Sequence, residues 1–169
     1  TASRLYLGTI RATGSNTTED SLAKRFVWNG YNREPLAMKV FETTSTWTYD
    51  TDTMRQANGS TANQLAVVIG LSVIPVEATV VAVGRCTNAL ASGSIGIGLD
   101  STTATAGLTA RIVFGSGNVT FNVRYVGFPG IGYHYVTWLE RGGGATTTWV
   151  GTEGSVDYNQ TGIVGMVMA

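Results

Sequence analysis

The only histidine of the chain, His134, lies between two tyrosines in GYHYVTWLERGGG (132–144), with Trp138 and the Glu140-Arg141 pair close behind. Histidine is the side chain whose ordinary pKa lies nearest neutrality, so it is the first candidate for a general base. Serines and aspartates abound as triad partners, but no G-x-S-x-G nucleophile elbow occurs. His134 also falls in the middle of an alternating stretch, whereas catalytic groups favour loops and strand ends. A hydrogen-bonded structural histidine is the expectation.

Carboxylates are the second source of chemistry. Asp50 and Asp52 in YDTDT share one face if the chain is extended, and Glu140 or Glu153 would be an opposing acid. Sugar hydrolysis needs two such groups about 5–10 Å apart across a cleft. No pair is singled out by spacing, so these read as solvated turn acids. Asp50-x-Asp52 also lacks the further acids and the glycine of a calcium loop. The single cysteine, Cys86, leaves neither an internal disulfide nor a multi-thiolate metal site. The G-x-G of Ser94–Asp100 (SIGIGLD) has no third glycine and no following helix to cradle a phosphate. The expectation is therefore a chain with no catalytic residues, no metal and no cofactor.

Aromatic residues are the third. Trp28, Tyr31, Trp47, Tyr49, Trp138 and Trp149 offer either stacking faces for sugar rings or bulk for a core. Trp47 and Trp138 fall mid-strand and read as core. Tyr31, with Asn32 and Arg33 in a loop, and Trp149, near a strand end, are the ligand-binding candidates.

What must position these residues is a set of short strands. Charged residues make up only 13% of the chain, about half the ordinary share, and their place is taken by Thr, Ser, Asn and 22 glycines. That mix suits strands and tight turns rather than helices with Glu- and Lys-rich faces. Strands are expected at Arg4–Thr13, Met38–Tyr49 with a bend near Ser45, Gln64–Leu71, Glu77–Arg85, Ser94–Leu99, Ala110–Phe114, Asn118–Phe128, Tyr133–Glu140, Thr146–Val150 and Gly162–Met168. Gly115-Ser116-Gly117 reads as the turn of one hairpin, and Arg141–Gly144 as the turn of another joining Tyr133–Glu140 to Thr146–Val150. The glycines alternating with Ile95 and Ile97 mark a face approached closely by a ring or another backbone. One short helix is expected near 18–28, from the capping-box pattern Thr17-Thr18-Glu19-Asp20 and apolar residues at Leu22, Ala23, Phe26 and Val27. The architecture that follows is all-β: a single domain over 1–169, folded as a jelly-roll-like antiparallel β-sandwich.

The balance of eleven basic and eleven acidic side chains leaves no basic stripe for nucleic acid, and no apolar run is long enough for membrane insertion. The last strand, TGIVGMVMA, is apolar on both faces, which implies that it fills the sandwich centre or packs on a neighbouring subunit. A chain opening TASRLYLG without Met reads as the carboxy-terminal module of a longer or processed protein.

Several longer words point to a family. Arg4-Leu5-Tyr6-Leu7-Gly8-Thr9, TEDSLAKRFVWNGYNR (18–33), QANGSTANQLAVVIGLS (56–72), IGIGLDST (95–102) and YHYVTWLERG (133–142) resemble the carboxy-terminal part of tailed-bacteriophage virion proteins of the tail-fibre or structural kind. The resemblance runs from Arg4 to the end. It implies a noncatalytic domain on the phage particle surface, a homotrimer, and contacts with other virion proteins through a preceding segment. It supplies no catalytic residues. A fibre domain contacting a host-surface glycan is the leading expectation. A capsid decoration or head-fibre protein, and a glycan-cleaving depolymerase, are the alternatives.

Overall fold

A computed structural model describes residues 5–86, 92–113, 117–144, 146–152 and 160–169. The described residues form sixteen strands: β1 (Gly8–Ile10), β2 (Ala12–Gly14), β3 (Thr17–Thr18), β4 (Lys24–Arg25), β5 (Val27–Asn29), β6 (Pro35–Phe41), β7 (Thr46–Tyr49), β8 (Arg55–Gln56), β9 (Gln64–Ile69), β10 (Val76–Cys86), β11 (Ser92–Leu99), β12 (Ala110–Val113), β13 (Val119–Gly127), β14 (Gly132–Gly142), β15 (Thr147–Val150) and β16 (Gly162–Met168). The only helical turn among the described residues is a 3-10 turn at Ala57–Gly59.

The two large sheets face each other with the order of a jelly roll. β6 and β7 lie end to end as one position against β16 and β15, β8 and β9 as one against β14, and β15 and β16 as one against β10. With the three pairs counted as single positions, one sheet runs β6/β7, β16/β15, β10, β13 and the other β9/β8, β14, β11, β12. In chain order those are positions 1-8-3-6 and 2-7-4-5, the double Greek key of a jelly roll. Ile95, Ile97, Val136 and Trp138 of one sheet and Val80, Phe121, Trp149 and Ile163 of the other point into a shared core.

Two expected hairpins do not form. β12 pairs with β11 while β13 pairs with β10, so the two strands belong to different sheets. Likewise β14 pairs with β11, β9 and β8, whereas β15 pairs with β10 and β7. A glycine-rich link allows a tight turn, but Trp138 before the second link and Trp149 after it fill the shared core from opposite sheets. Strand β16 lies in the interior of its sheet between β6 and β10, with Ile163 and Val167 filling the core.

The helix expected near 18–28 is absent. Those residues form β3, β4 and β5 instead. Phe26 is buried, Val27 exposed and Trp28 buried, which is the alternation of a strand. The segment lies on the open edges of both sheets: the Lys39 amide of β6 donates to Leu22 O, and the Ala66 amide of β9 donates to Ala23 O, at 2.8 and 2.9 Å. Unpaired strand edges recruit any extended chain that reaches them, and this outweighs a local preference for helix. Thr17-Thr18 closes a small hairpin with β2 through Asn16 at φ 59°, so it caps nothing.

The glycine-faced strand reads as expected. A Cβ on Gly98 would lie 2.4 Å from Ser101 O, and one on Gly96 would lie 2.6 Å from the Thr105 methyl. The loop after β11 is folded back over the outer face of its own sheet. Thr137 and Leu139 on that face of β14 are therefore buried by this chain, with no neighbouring subunit required.

Candidate functional site

Alternation in β11 turns Ile95 and Ile97 into the core, so Ser92 and Ser94 face outward. Ser94 is paired with Arg111 of β12 on one side and with Arg141 of β14 on the other. Directly paired residues point to the same side of a sheet, so an Arg-Ser-Arg row crosses three adjacent strands. Strand spacing places the two arginine backbones about 10 Å apart.

Between these residues is a pocket of about 170 Å³, lined by Asp52, Ser92, Ser94, Arg111, Arg141, Gly142 and Gly143. Arg141 Nε donates to Asp52 Oδ1 at 2.7 Å, and a second nitrogen of the same guanidinium reaches the same oxygen. Arg111 donates to Ser92 Oγ at 3.1 Å and forms no ion pair among the described residues. The pocket therefore holds two guanidiniums against one carboxylate. Its floor is backbone: a Cβ on Gly143 would lie 2.0 Å from Ser92 O, so no larger residue fits there.

The sequence candidates are dispersed. Tyr31, Asn32 and Arg33 are exposed in the loop after β5, whose shape is held by Asn29 Oδ1 accepting the Tyr31 and Asn32 amides at 2.9 and 3.3 Å. Tyr31 borders an open apolar groove with Leu7, Ile10 and Val27. Trp149 does not join them. It is 0% exposed, its ring against Phe121, because β15 faces the core instead of ending at solvent. Trp47 and Trp138 are core residues, as their mid-strand positions imply, and stack edge-on at 5.8 Å. Trp28 is also buried and donates to Met168 O at 3.1 Å.

His134 is a structural hydrogen-bonder. Its Nδ1 is 2.7 Å from Asp100 Oδ2, and Asp100 Oδ1 accepts the Tyr135 amide at 2.9 Å. The other ring nitrogen, Nε2, has no partner among the described residues, so no described serine stands where a triad needs one.

Of the carboxylates, Asp52 is held by Arg141, and Glu140 is fully buried. Glu140 accepts from Trp47 Nε1 at 2.6 Å, Arg55 Nε at 2.9 Å and the Asn58 amide at 3.1 Å. Burial pushes its carboxyl above the ordinary range against those donors. Glu42, on the same network, is pushed up by burial, but hydrogen bonds from Asn63, Thr44 and Asn58 outweigh this and leave its pKa lowered. Neither acid opens onto the pocket. Glu153 lies outside the described residues. Among the described residues no group of three or more His, Cys, Asp or Glu side chains could hold a metal.

The pocket escaped sequence reasoning because its members, from Asp52 to Gly143, are far apart in the chain and meet only through register. Its one local signal is the serine at alternate positions before Ile95. No protein-family model matches this chain, and no similar curated protein is found.

Proposed function

We propose that this chain is a noncatalytic virion domain of a tailed bacteriophage, a fibre module exposed on the particle that contacts the host surface. The observation that carries the reading is the polar pocket on the outer face of the sandwich, across β11, β12 and β14. Strand ends and the links between them gather Asp52, Ser92, Ser94, Arg111 and Arg141 there, in the manner of a recognition surface mounted on a scaffold. The phage-protein words at 18–33, 56–72 and 133–142 support the assignment to a virion. A homotrimer presents three copies of such a site, and avidity turns weak single contacts into firm attachment. Val164 and Met166, half-exposed on the outer face of β16, suit burial between copies.

The test is competition. Purified protein added before the phage should slow adsorption to the host, and sedimentation equilibrium should return a trimer mass. Gold-labelled antibody against the chain should mark fibre tips. Labelling spread over the head, with adsorption unaffected by the free protein, would assign a capsid decoration role instead. Release of oligosaccharide from host polysaccharide would favour the depolymerase.

A further inference from the structure

The Arg-Ser-Arg row is chemically specific. A guanidinium is a planar fork of N–H donors that matches the two oxygens of a carboxylate, and it keeps its charge at any physiological pH. Arg111 and Arg141 flank Ser94 from the strands on either side of β11, so an anion seated on the row meets both guanidiniums. Asp52 pairs with Arg141, which leaves Arg111 without a counter-charge among the described residues.

The serines reinforce the pattern. Ser92 and Ser94 are 8% and 7% exposed, on a face otherwise closed by the chain's own loop. Ser92 Oγ already accepts from Arg111, which holds the guanidinium over the pocket. Ser94 Oγ, at the centre of the row, has no side-chain partner among the described residues. Hydroxyls of this kind pair with the hydroxyls of a sugar, and the lining offers no apolar wall for a ligand of another kind.

We infer that this pocket binds the carboxylate of an acidic sugar unit, a uronate-type residue of a surface polysaccharide, through Arg111, with Ser94 on the ring hydroxyls and Arg141 shared between the ligand and Asp52. This rests on the host-contact reading above and names the chemistry of that contact.

The test is titration of the full chain with sodium glucuronate, glucuronamide, glucose and inorganic phosphate, followed by amide and arginine side-chain NMR shifts. Glucuronate should saturate shifts at Arg111, Ser92 and Ser94, while glucuronamide and glucose should give none there. R111A should weaken glucuronate binding at least about tenfold, the loss of a charge-assisted pair. R111K should fall between, because it keeps the charge and loses the fork. D52N should tighten binding by freeing Arg141. Unchanged melting temperatures would confirm that the variants fold.

Equal shifts with glucose, or an R111A protein that binds as well as the parent, would overturn the inference. Phosphate saturating the site in preference to glucuronate would also overturn it, as a phosphate site. The host-contact reading fails separately: phage carrying R111A that adsorbs normally, beside a protein that has lost glucuronate binding, leaves the site standing and removes its role in attachment.

Discussion

Trp47 of β7 donates its indole N–H to Glu140 Oε2 of β14 at 2.6 Å, a hydrogen bond that joins the two sheets inside the sandwich. The same carboxylate takes Arg55 on its other oxygen, with the guanidinium of Arg55 lying 3.8 Å from the Tyr49 ring centroid. One buried acid thus ties β7 of one sheet to β14 and β8 of the other, and through the Asn58 amide to the 3-10 turn. Truncation in E140A leaves an indole, a guanidinium and an amide without their acceptor. The expected loss is about 1–3 kcal/mol, the cost of leaving the buried Trp47 donor unsatisfied, since Arg55 is 35% exposed and regains water. Urea unfolding with an unchanged m-value is the measurement, and a loss within about 0.5 kcal/mol, the range of an ordinary surface change, would show the network to be dispensable.

Glu42 and Glu140 should respond to pH with opposite sign. The Glu42 pKa is lowered from its ordinary value of 4.5, so the folded state binds that proton less readily than the unfolded chain. Its contribution is present above pH 4.5 and is lost as pH falls through the lower folded value. The Glu140 pKa is raised from 4.5, so its contribution is full below that pH and diminishes as pH rises through the folded value. Stability of E42Q and E140Q relative to the parent, measured from acid to neutral pH, should therefore diverge. The parent's advantage over E42Q should grow with pH, and its advantage over E140Q should shrink.

Strand content, the core roles of Trp47 and Trp138, and the glycine face of β11 were legible because alternation and residue size are local properties. Which strand pairs with which was not. Gly142-Gly143-Gly144 is consistent with a hairpin turn, yet the chain there passes to the other sheet, a choice made by core complementarity between distant residues. The 18–28 segment failed for a related reason. Leu22, Ala23, Phe26 and Val27 fit a helical stripe as well as a strand edge, and two unpaired sheet edges decided between them. Trp149 was misplaced because closeness to a strand end in sequence says nothing about the face toward which the ring points. The pocket residues had no signature at all until register set Arg111 and Arg141 on either side of Ser94.

Gly70 and Trp28 form a contact that admits no side chain. A Cβ on Gly70 would lie 2.1 Å from Trp28 Cε3, and the indole is held in place by its bond to Met168 O. G70A must therefore move the ring or the turn after β9, at a cost of about 1–3 kcal/mol. Since Trp28 anchors β5 over the sheet edge, the strain should also loosen the amino-terminal segment. Hydrogen exchange should show faster exchange at the Ala66 and Lys39 amides, which pair with that segment, while amides of β10 stay protected. Uniformly unchanged exchange would mean that the segment is held elsewhere.

Trp149 and Tyr31 separate a scaffold ring from a surface ring. Trp149 is 0% exposed and packs on Phe121, so W149A should cost about 3–5 kcal/mol through the cavity it leaves. Its indole N–H is buried without an acceptor among the described residues, so W149F keeps much of the packing while removing an unsatisfied donor. The phenylalanine variant should therefore lose clearly less than half of the alanine penalty. Tyr31 is 62% exposed, and Y31A should stay within about 0.5 kcal/mol of the parent. Thermal unfolding of the three variants, each checked for an unchanged secondary structure by circular dichroism, gives the comparison. If W149A is as mild as Y31A, the ring does not support the core. If W149F is as damaging as W149A, ring volume and not the stranded N–H governs the site.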